Sequence, residues 1–529
     1  MPRKYCWFLV PCLVALAWPR LAYIRLYDPD EFEHLHAAWC VFSGQVPYRD
    51  YFEHHGPLTY YLLAPLIRWF GETPSLLTVH RALAAFWCII AVAGVVLLRP
   101  GRSVAVVGFG LTWLFSFPWF LEKAVEGRPD LPAMALLTVA AWLTRKAAVS
   151  DRWIWTFAAG LAAGVASLFT QKVIFAAAGL AIGASITRAS NGRSAVRASA
   201  VAAVGFLSPW VVACLYFQQH GALGAFLHRT IVTPATWPAH VKNSDEGLLH
   251  RLQSVVSWAP GHLAVLGVVL VVGLLRLRNR NHWRNGQQIL WCGLVAHLVG
   301  APFVPAYLQY YLLACPVAAA LVGETAPLLL RRYSRLFAFV VVAAFFGALA
   351  LRAPEFQSKS LNPYAILDAS VGVGMFIAAV GFFLATIRGG RSTQRNWLTG
   401  LVLVSLAPGL GRYVVYHSFW NSAERQRQDL TRFGELSPGP VLDGFSGLGC
   451  LQPHAGYWWW INHHSLPLMR KEGALQDVVE LVRRKHPGVV VFDDGVRRIS
   501  GIESPLILGY EQVPFPGPPV FVRREPSSR

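Results

Sequence analysis

Hydrophobic positions in this chain fall in long unbroken runs rather than at helical or strand spacing. The runs cover 5–26, 79–98, 103–121, 131–145, 153–170, 172–187, 198–217, 259–275, 288–304, 306–323, 336–351, 370–387 and 397–415. Most are near the ~18–20 residues that cross a ~30 Å hydrocarbon core. Short basic clusters separate them, at Arg3-Lys4, Arg99/Arg102, Arg145-Lys146/Arg152, Arg188/Arg193/Arg197, Arg276–Arg284, Arg331-Arg332/Arg335 and Arg388–Arg395. These clusters alternate with loops that carry acids and histidines, which is the positive-inside pattern. The alternation predicts an α-helical polytopic membrane protein with about 13 spans. Its N-terminus is expected in the cytoplasm and its C-terminus on the other side. Arg20 and Arg25, inside or beside the first run, must snorkel or face protein.

The outer loops are uneven. The first, 27–78, holds a charged stretch and a second, shorter apolar run from Pro57 to Phe70, whose aromatics suggest a helix lying at the interface. Two further outer loops span 218–258 and 352–369. From about Tyr416 the pattern turns soluble. Val441-Leu442, Val489–Phe492 and Val520–Arg523 read as strands, and Ala474–Lys485 has apolar residues at helical spacing. The expected division is therefore 1–415, a transmembrane domain, and 416–529, a small soluble α/β domain on the outer side.

Composition agrees with this reading. The 529 residues are 54% hydrophobic and 14% charged, and mean hydropathy is +0.41. The net charge of +19 raises nucleic-acid binding, but the arginines sit between apolar runs, so topology explains them and no nucleic acid is expected. The eight cysteines lie mostly in apolar runs without a CxxC pair and read as small buried hydrophobes. The GFSGLG stretch at 444–449 lacks the order of a dinucleotide loop. The three tryptophans 458–460 are expected to pack on the membrane face or the other domain.

Against this apolar background, YDPDEFEHLHAAWC (27–40) carries four acids and two histidines. Asp28 suits a helix N-cap, Pro29 the first turn and Glu31 the third position of a capping box. A helix over 29–43 places Phe32, Leu35 and Trp39 on one face and Asp30, Glu33 and His34 on another. A carboxylate at the membrane surface can deprotonate an attacking hydroxyl or amine. Glu31, Glu33, His34 and His36 together have the donor types for a divalent metal ion. EGRPD (126–130) packs Glu126, Arg128 and Asp130 into a short outer loop, where charged groups near lipid are often functional. Lys172 at another outer turn can hold a phosphate. Tyr307 and Gln309 lie near the outer end of a span hairpin, and His54-His55 precede the interfacial helix.

In these stretches the chain resembles the bacterial GT-C glycosyltransferases that use polyprenyl-phosphate sugars, the superfamily of the protein O-mannosyltransferases and lipid A aminoarabinose transferases. The matching segments are 28–66, EGRPDLPAMALL (126–137), SLFTQKVIFAAAGL (167–180), 208–226 and YLQYYLLACPVAAAL (307–321). Their order and spacing cover about the first 415 residues. The family's acidic pair falls on Asp30-Glu31, its G-x-x-P-Y-x-D segment on Gly44–Asp50, and its second-loop acid on Asp130. The resemblance implies a GT-C fold, a bacterial inner-membrane location and inverting transfer of a sugar from a polyprenyl-phosphate donor to a lipid, glycan or protein acceptor. It implies Asp30 as base, Glu31 and Asp130 as positioning or cation-binding acids, and Arg128, Lys172, His55, Tyr307 and Gln309 as donor contacts. The chain departs from the family at His55-Gly56-Pro57-Leu58, where the aminoarabinose transferases carry Lys-Pro-Pro-Leu, and at Gln309, where relatives often carry lysine. A transporter of lipid-linked saccharides is the competing reading. It predicts charged groups at mid-membrane and an inverted repeat, and neither is evident in the sequence.

Overall fold

The computed structural model describes residues 8–98, 104–150, 152–188, 192–236, 260–277, 286–300, 308–332, 423–436, 439–462, 465–499 and 509–523, with shorter pieces between 334 and 405. In chain order the first helices are α1 (Leu9–Ile24), α2 (Pro29–Phe42), α3 (Leu58–Phe70), α4 (Leu76–Leu97), α5 (Val104–Ser116), α6 (Pro118–Lys123), α7 (Asp130–Ser150), α8 (Trp153–Ser167), α9 (Val173–Thr187), α10 (Gly192–Gln219) and α11 (Leu223–Leu227). A π-helical turn, His228–Val232, follows. Then come α12 (Pro260–Leu277), α13 (Gln287–Gly300), a 3-10 segment (Leu308–Ala314) and α14 (Cys315–Arg332). Helices thus occupy the first ten apolar runs. The loop 352–369 lies outside the described residues, as do most of the runs at 336–351 and 397–415, while the run at 370–387 is helical at 374 and over 377–385.

Two helices, Leu76–Leu97 and Ser194–Gln219, are long and apolar enough to cross a membrane by length and composition. Their outward faces are greasy. Leu207, Val211, Val212 and Leu215 on α10 are all exposed, as are Ile174 and Ile182 on α9. Contiguous apolar surface of this kind needs an apolar surround. Small residues bring these helices together. A Cβ at Gly160 or Gly164 of α8 would strike the backbone of Ala202 or Phe206 on α10, so only glycine allows this approach.

The loop 27–78 folds as its local signals predict. Asp28 caps α2, accepting from the Asp30 amide at 3.1 Å, while Glu31 accepts from the Asp28 amide at 2.9 Å. α3 forms where the short apolar run from Pro57 to Phe70 predicts a helix. Gly44 and Tyr48 adopt positive φ in the Gly44–Asp50 turn, and Asp50 fastens it by accepting from the Val46 amide at 2.7 Å.

The C-terminal region builds a four-stranded sheet in the order β1-β2-β4-β3, with β1 (Val441–Leu442), β2 (Val489–Val491), β3 (Tyr510–Val513) and β4 (Val520–Arg523). β1 and β2 are parallel and the other pairs antiparallel. The edge strand β3 was not expected, because Glu511 and Gln512 break its apolar pattern. This unit sits directly on the loop 27–78. Phe52 donates its amide to Tyr457 O at 2.8 Å, and the Tyr457 hydroxyl donates to Tyr48 O at 2.9 Å. The tryptophans pack inward as expected. Trp458 stacks on Phe52 with ring centres 4.1 Å apart, and Trp459 lies 4.0 Å from the His36 ring.

Candidate active site

The first turn of α2, the EGRPD loop and the α8–α9 turn converge on one cavity of about 820 Å³. Local structure explains the convergence. The capped N-terminus of α2 aims Asp28 and Asp30 outward, and Asp130 begins α7 beside them. His55-Gly56-Pro57 runs tight against the end of α8, where a Cβ on Gly56 would strike the Leu168 carbonyl. That approach lets Gln171 donate to His54 O at 2.7 Å. It is a physical reason for glycine where the relatives carry proline.

Of the residues expected from sequence, Asp30, Arg128, Asp130, Lys172, His55, Glu33 and His34 all line this cavity. Arg128 reaches from the EGRPD loop to Asp30 and lies 3.5 Å from Asp28. Lys172 sits 3.2 Å from Asp130 and 3.6 Å over the centre of the Tyr310 ring. Lys123 closes the cluster, 3.3 Å from Asp28 and 3.0 Å from Glu126. Arg25 turns inward to Glu126 at 2.6 Å, the protein-facing choice of the two expected for it.

Electrostatics separate the carboxylates. Burial opposes ionisation of Asp28, but Arg128 and Lys123 overcome it and hold the carboxyl well below the usual range. Glu33 goes the other way: burial, then the neighbouring Glu53 and Asp30 charges, push it well above the usual carboxylate range. Arg128 is buried among Asp30, Asp28, Glu126 and Asp130 and stays cationic. Asp30 is the open member, its side chain 30% exposed.

Two expectations are corrected. Glu31 does not line the cavity; its side chain is fully buried and is held by Arg81 Nε at 2.8 Å, Arg81 Nη2 at 2.6 Å and the Gly127 amide at 2.8 Å. The metal set of Glu31, Glu33, His34 and His36 is not formed, because helical geometry sends the four side chains to different sides. Glu33 instead meets Glu53, His54 and His55, with ligand atoms within 4.8 Å of one another, while His36 contacts Cys40 and His454. Tyr307 lies outside the described residues, as does the side chain of Gln309; the neighbouring Tyr310 lines the cavity.

Sequence reasoning missed the roof. Phe445, Trp460, Asn462 and Ser465 of the C-terminal unit line the same cavity. Arg229 links the unit to the membrane helices through a two-pronged pair with Glu472 at 2.6 and 2.8 Å. Only the unusual Trp458–Trp460 run hinted at this. Lys123, three residues before Glu126, was the one missed residue with a local signal.

The cavity does not end at its polar floor. Ile174, Phe206 and Leu207 line both it and a second cavity of about 360 Å³ between α7, α8, α9 and α10. The second cavity is walled mainly by alanines, among them Ala140, Ala163, Ala177 and Ala202.

No family model and no curated protein matches this chain. Solved structures do. The structure of ArnT from Cupriavidus metallidurans bound to undecaprenyl phosphate aligns with a TM-score of 0.62 at 16% identity, covering 98% of each chain. The apo ArnT structure from the same organism aligns at 0.60 with 15% identity over 97% of each. At this identity the likeness speaks for the fold, and it runs from end to end. The expectation raised by the 28–66 and 126–137 segments is met at that level: the chain has the fold of these ArnT structures.

Proposed function

We propose that this protein is an inverting glycosyltransferase that moves a sugar from a polyprenyl-phosphate donor to an acceptor at the outer face of the membrane. The observation that carries the reading is the shape of the cavity. A charged chamber holding Asp30, Arg128 and Lys172 adjoins an alanine-walled groove between helices, with Ile174, Phe206 and Leu207 lining both. A ligand with an anionic head and a long apolar tail fits that combination. ArnT, the structural neighbour, binds undecaprenyl phosphate.

In this reading the tail lies in the groove and the phosphate meets Arg128 and Lys172. The acceptor hydroxyl or amine attacks the anomeric carbon from the side opposite the phosphate. Asp30 takes its proton. The carbon–oxygen bond to the phosphate breaks with its electron pair, and the two cations stabilise the leaving phosphate. Asp130 holds Lys172 in place. A divalent cation, where the reaction uses one, would find donors in Glu33, Glu53, His54 and His55; buried Glu53 Oε2 has no hydrogen-bond partner among the described residues. Such an ion would supply positive charge at the phosphate.

The division expected from sequence belongs to this proposal. Residues 1–415, with about 13 spans, form the transmembrane catalytic domain, and 416–529 form a soluble domain on the outer side that roofs the site. The N-terminus is cytoplasmic and the membrane is a bacterial inner membrane.

The test is Asp30→Asn. Sugar transfer from a panel of polyprenyl-phosphate sugars, measured on purified protein, is expected to fall by about 10²–10⁴-fold with the thermal midpoint unchanged. Normal transfer by this variant would remove Asp30 from the base role.

A further inference from the structure

α2 carries a second cluster away from the cavity. His36 and Cys40 are one helical turn apart, so both side chains lie on one face, and both are buried. His454 reaches them from the C-terminal unit. Its position is fixed by a bridge to Val441, with the Val441 amide donating to Pro453 O and the Ala455 amide donating to Val441 O, each at 2.8 Å. His36 Nε2 lies 3.0 Å from His454 Nδ1 and 3.4 Å from Cys40 Sγ; Cys40 Sγ lies 3.6 Å from His454 Nδ1.

These three edges have the dimensions of a coordination site. Zinc bonds of ~2.0–2.1 Å to nitrogen and ~2.3 Å to sulfur at tetrahedral angles put two nitrogens roughly 3.3 Å apart and nitrogen and sulfur roughly 3.6 Å apart. The surroundings prepare the ligands. His36 Nδ1 lies 3.2 Å from the Cys450 carbonyl. Donating there fixes the tautomer that leaves the Nε2 lone pair free, the usual second contact of a ligating histidine. Trp459 covers the His36 ring at 4.0 Å and Tyr51 lies 6.0 Å from His454, so aromatic rings flank both imidazoles. A trio joined only by hydrogen bonds serves these contacts less well. With its one proton given to Cys450, His36 Nε2 has none to donate, so Cys40 and His454 must both donate to it and the contact between them is left unserved.

We propose that His36, Cys40 and His454 bind a divalent ion of the zinc class, which clamps the C-terminal unit onto α2. Binding replaces the Cys40 thiol proton, which leaves to solvent, with a metal–thiolate bond. Mixed imidazole and thiolate donors select zinc or cobalt over calcium or magnesium. The clamp is separate from the carboxylate and histidine group that lines the cavity, and it holds the roof of the cavity over Asp30.

The full-length protein, purified in detergent without chelator, is analysed for zinc. It is then stripped with chelator and titrated with cobalt(II). The expected result is about one zinc bound through this site and, on cobalt addition, a thiolate-to-cobalt charge-transfer band. Cys40→Ser is expected to lose the band and lower zinc content by one ion per chain. Glu53→Gln, which alters the sulfur-free group in the cavity, is expected to keep the band. The cobalt spectrum of the wild type needs no variant to fold: absence of a thiolate band with cobalt in excess overturns the proposal. So does a band that survives Cys40→Ser, since another cysteine would then be the ligand.

Discussion

Glu31–Arg81 and Asp30–Arg128 are both carboxylate–arginine pairs, and their acids are adjacent in sequence. In the first, Arg81 uses every N–H it has. Nε and Nη2 hold Glu31, and the rest go to the carbonyls of Ala22 at 2.7 Å, Arg25 at 2.6 Å and Leu26 at 2.8 Å. Both side chains are buried, and burial of Glu31 is outweighed by the Arg81 charge, so its carboxyl stays below the usual range. In the second pair the acid is partly open, and buried Arg128 Nη1 has no hydrogen-bond partner among the described residues. A saturated pair has no valence left for a ligand. An unsaturated one, aimed into a cavity, does. Arg81 ties α1, α2 and α4 together, and Arg128 keeps donors in reserve.

Removing each arginine tests this difference. Arg81→Met leaves Glu31 as a buried, uncompensated charge and strips three carbonyls of their donor. It is expected to destabilise by about 3–5 kcal/mol, read as loss of folded protein from the membrane and a lower thermal midpoint. Arg128→Gln is expected to leave the fold much closer to intact, because Asp30 can hydrate. It should lower transfer by about 10²–10³-fold with a raised KM for the lipid donor. Equal loss of stability in the two variants would erase the distinction.

A third buried carboxyl, one without any arginine, sharpens the comparison with the smallest effect. Asp493 accepts from the Phe445 and Val496 amides under the cavity roof. Burial, and then Asp443, push it up to about 7. An unfolded aspartate titrates near ~3.9. Between about pH 4 and pH 7 the folded state therefore binds the extra proton, so this group's contribution to stability falls as pH rises through that window. Hydrogen exchange of the C-terminal unit across that range should report the slope, and Asp493→Asn should flatten it.

Local signals in the sequence were enough for α2, its capping box and α3, because caps and apolar periodicity act within one or two turns. The same holds for the strands at 441–442, 489–491 and 520–523, whose apolar runs are continuous. β3 escaped because Glu511 and Gln512 sit together in the middle of a four-residue edge strand, which its antiparallel pairing with β4 holds in the sheet. Within the site, Asp30, Arg128, Asp130 and Lys172 stood out as costly charges near apolar runs. The resemblance implied Asp30 as the base, but that Glu31 turns away from the cavity was not legible in the sequence. Asp30 and Glu31 are successive residues on a helix, about 100° apart around its axis, and what each faces depends on Arg81 and on the EGRPD loop.

The sequence by itself determined that this is a helical membrane chain, where its helices start, and which acids and bases gather outside the first run. Burying charge is costly, so charge that persists in a greasy chain marks itself. Only the tertiary structure decided which of those charges are spent on structure and which face a cavity. It decided too that Trp460 and Ser465 roof the chamber, and that His36 looks toward Cys40 and His454 rather than Glu33. Those outcomes depend on contacts between residues hundreds of positions apart, which no local pattern encodes.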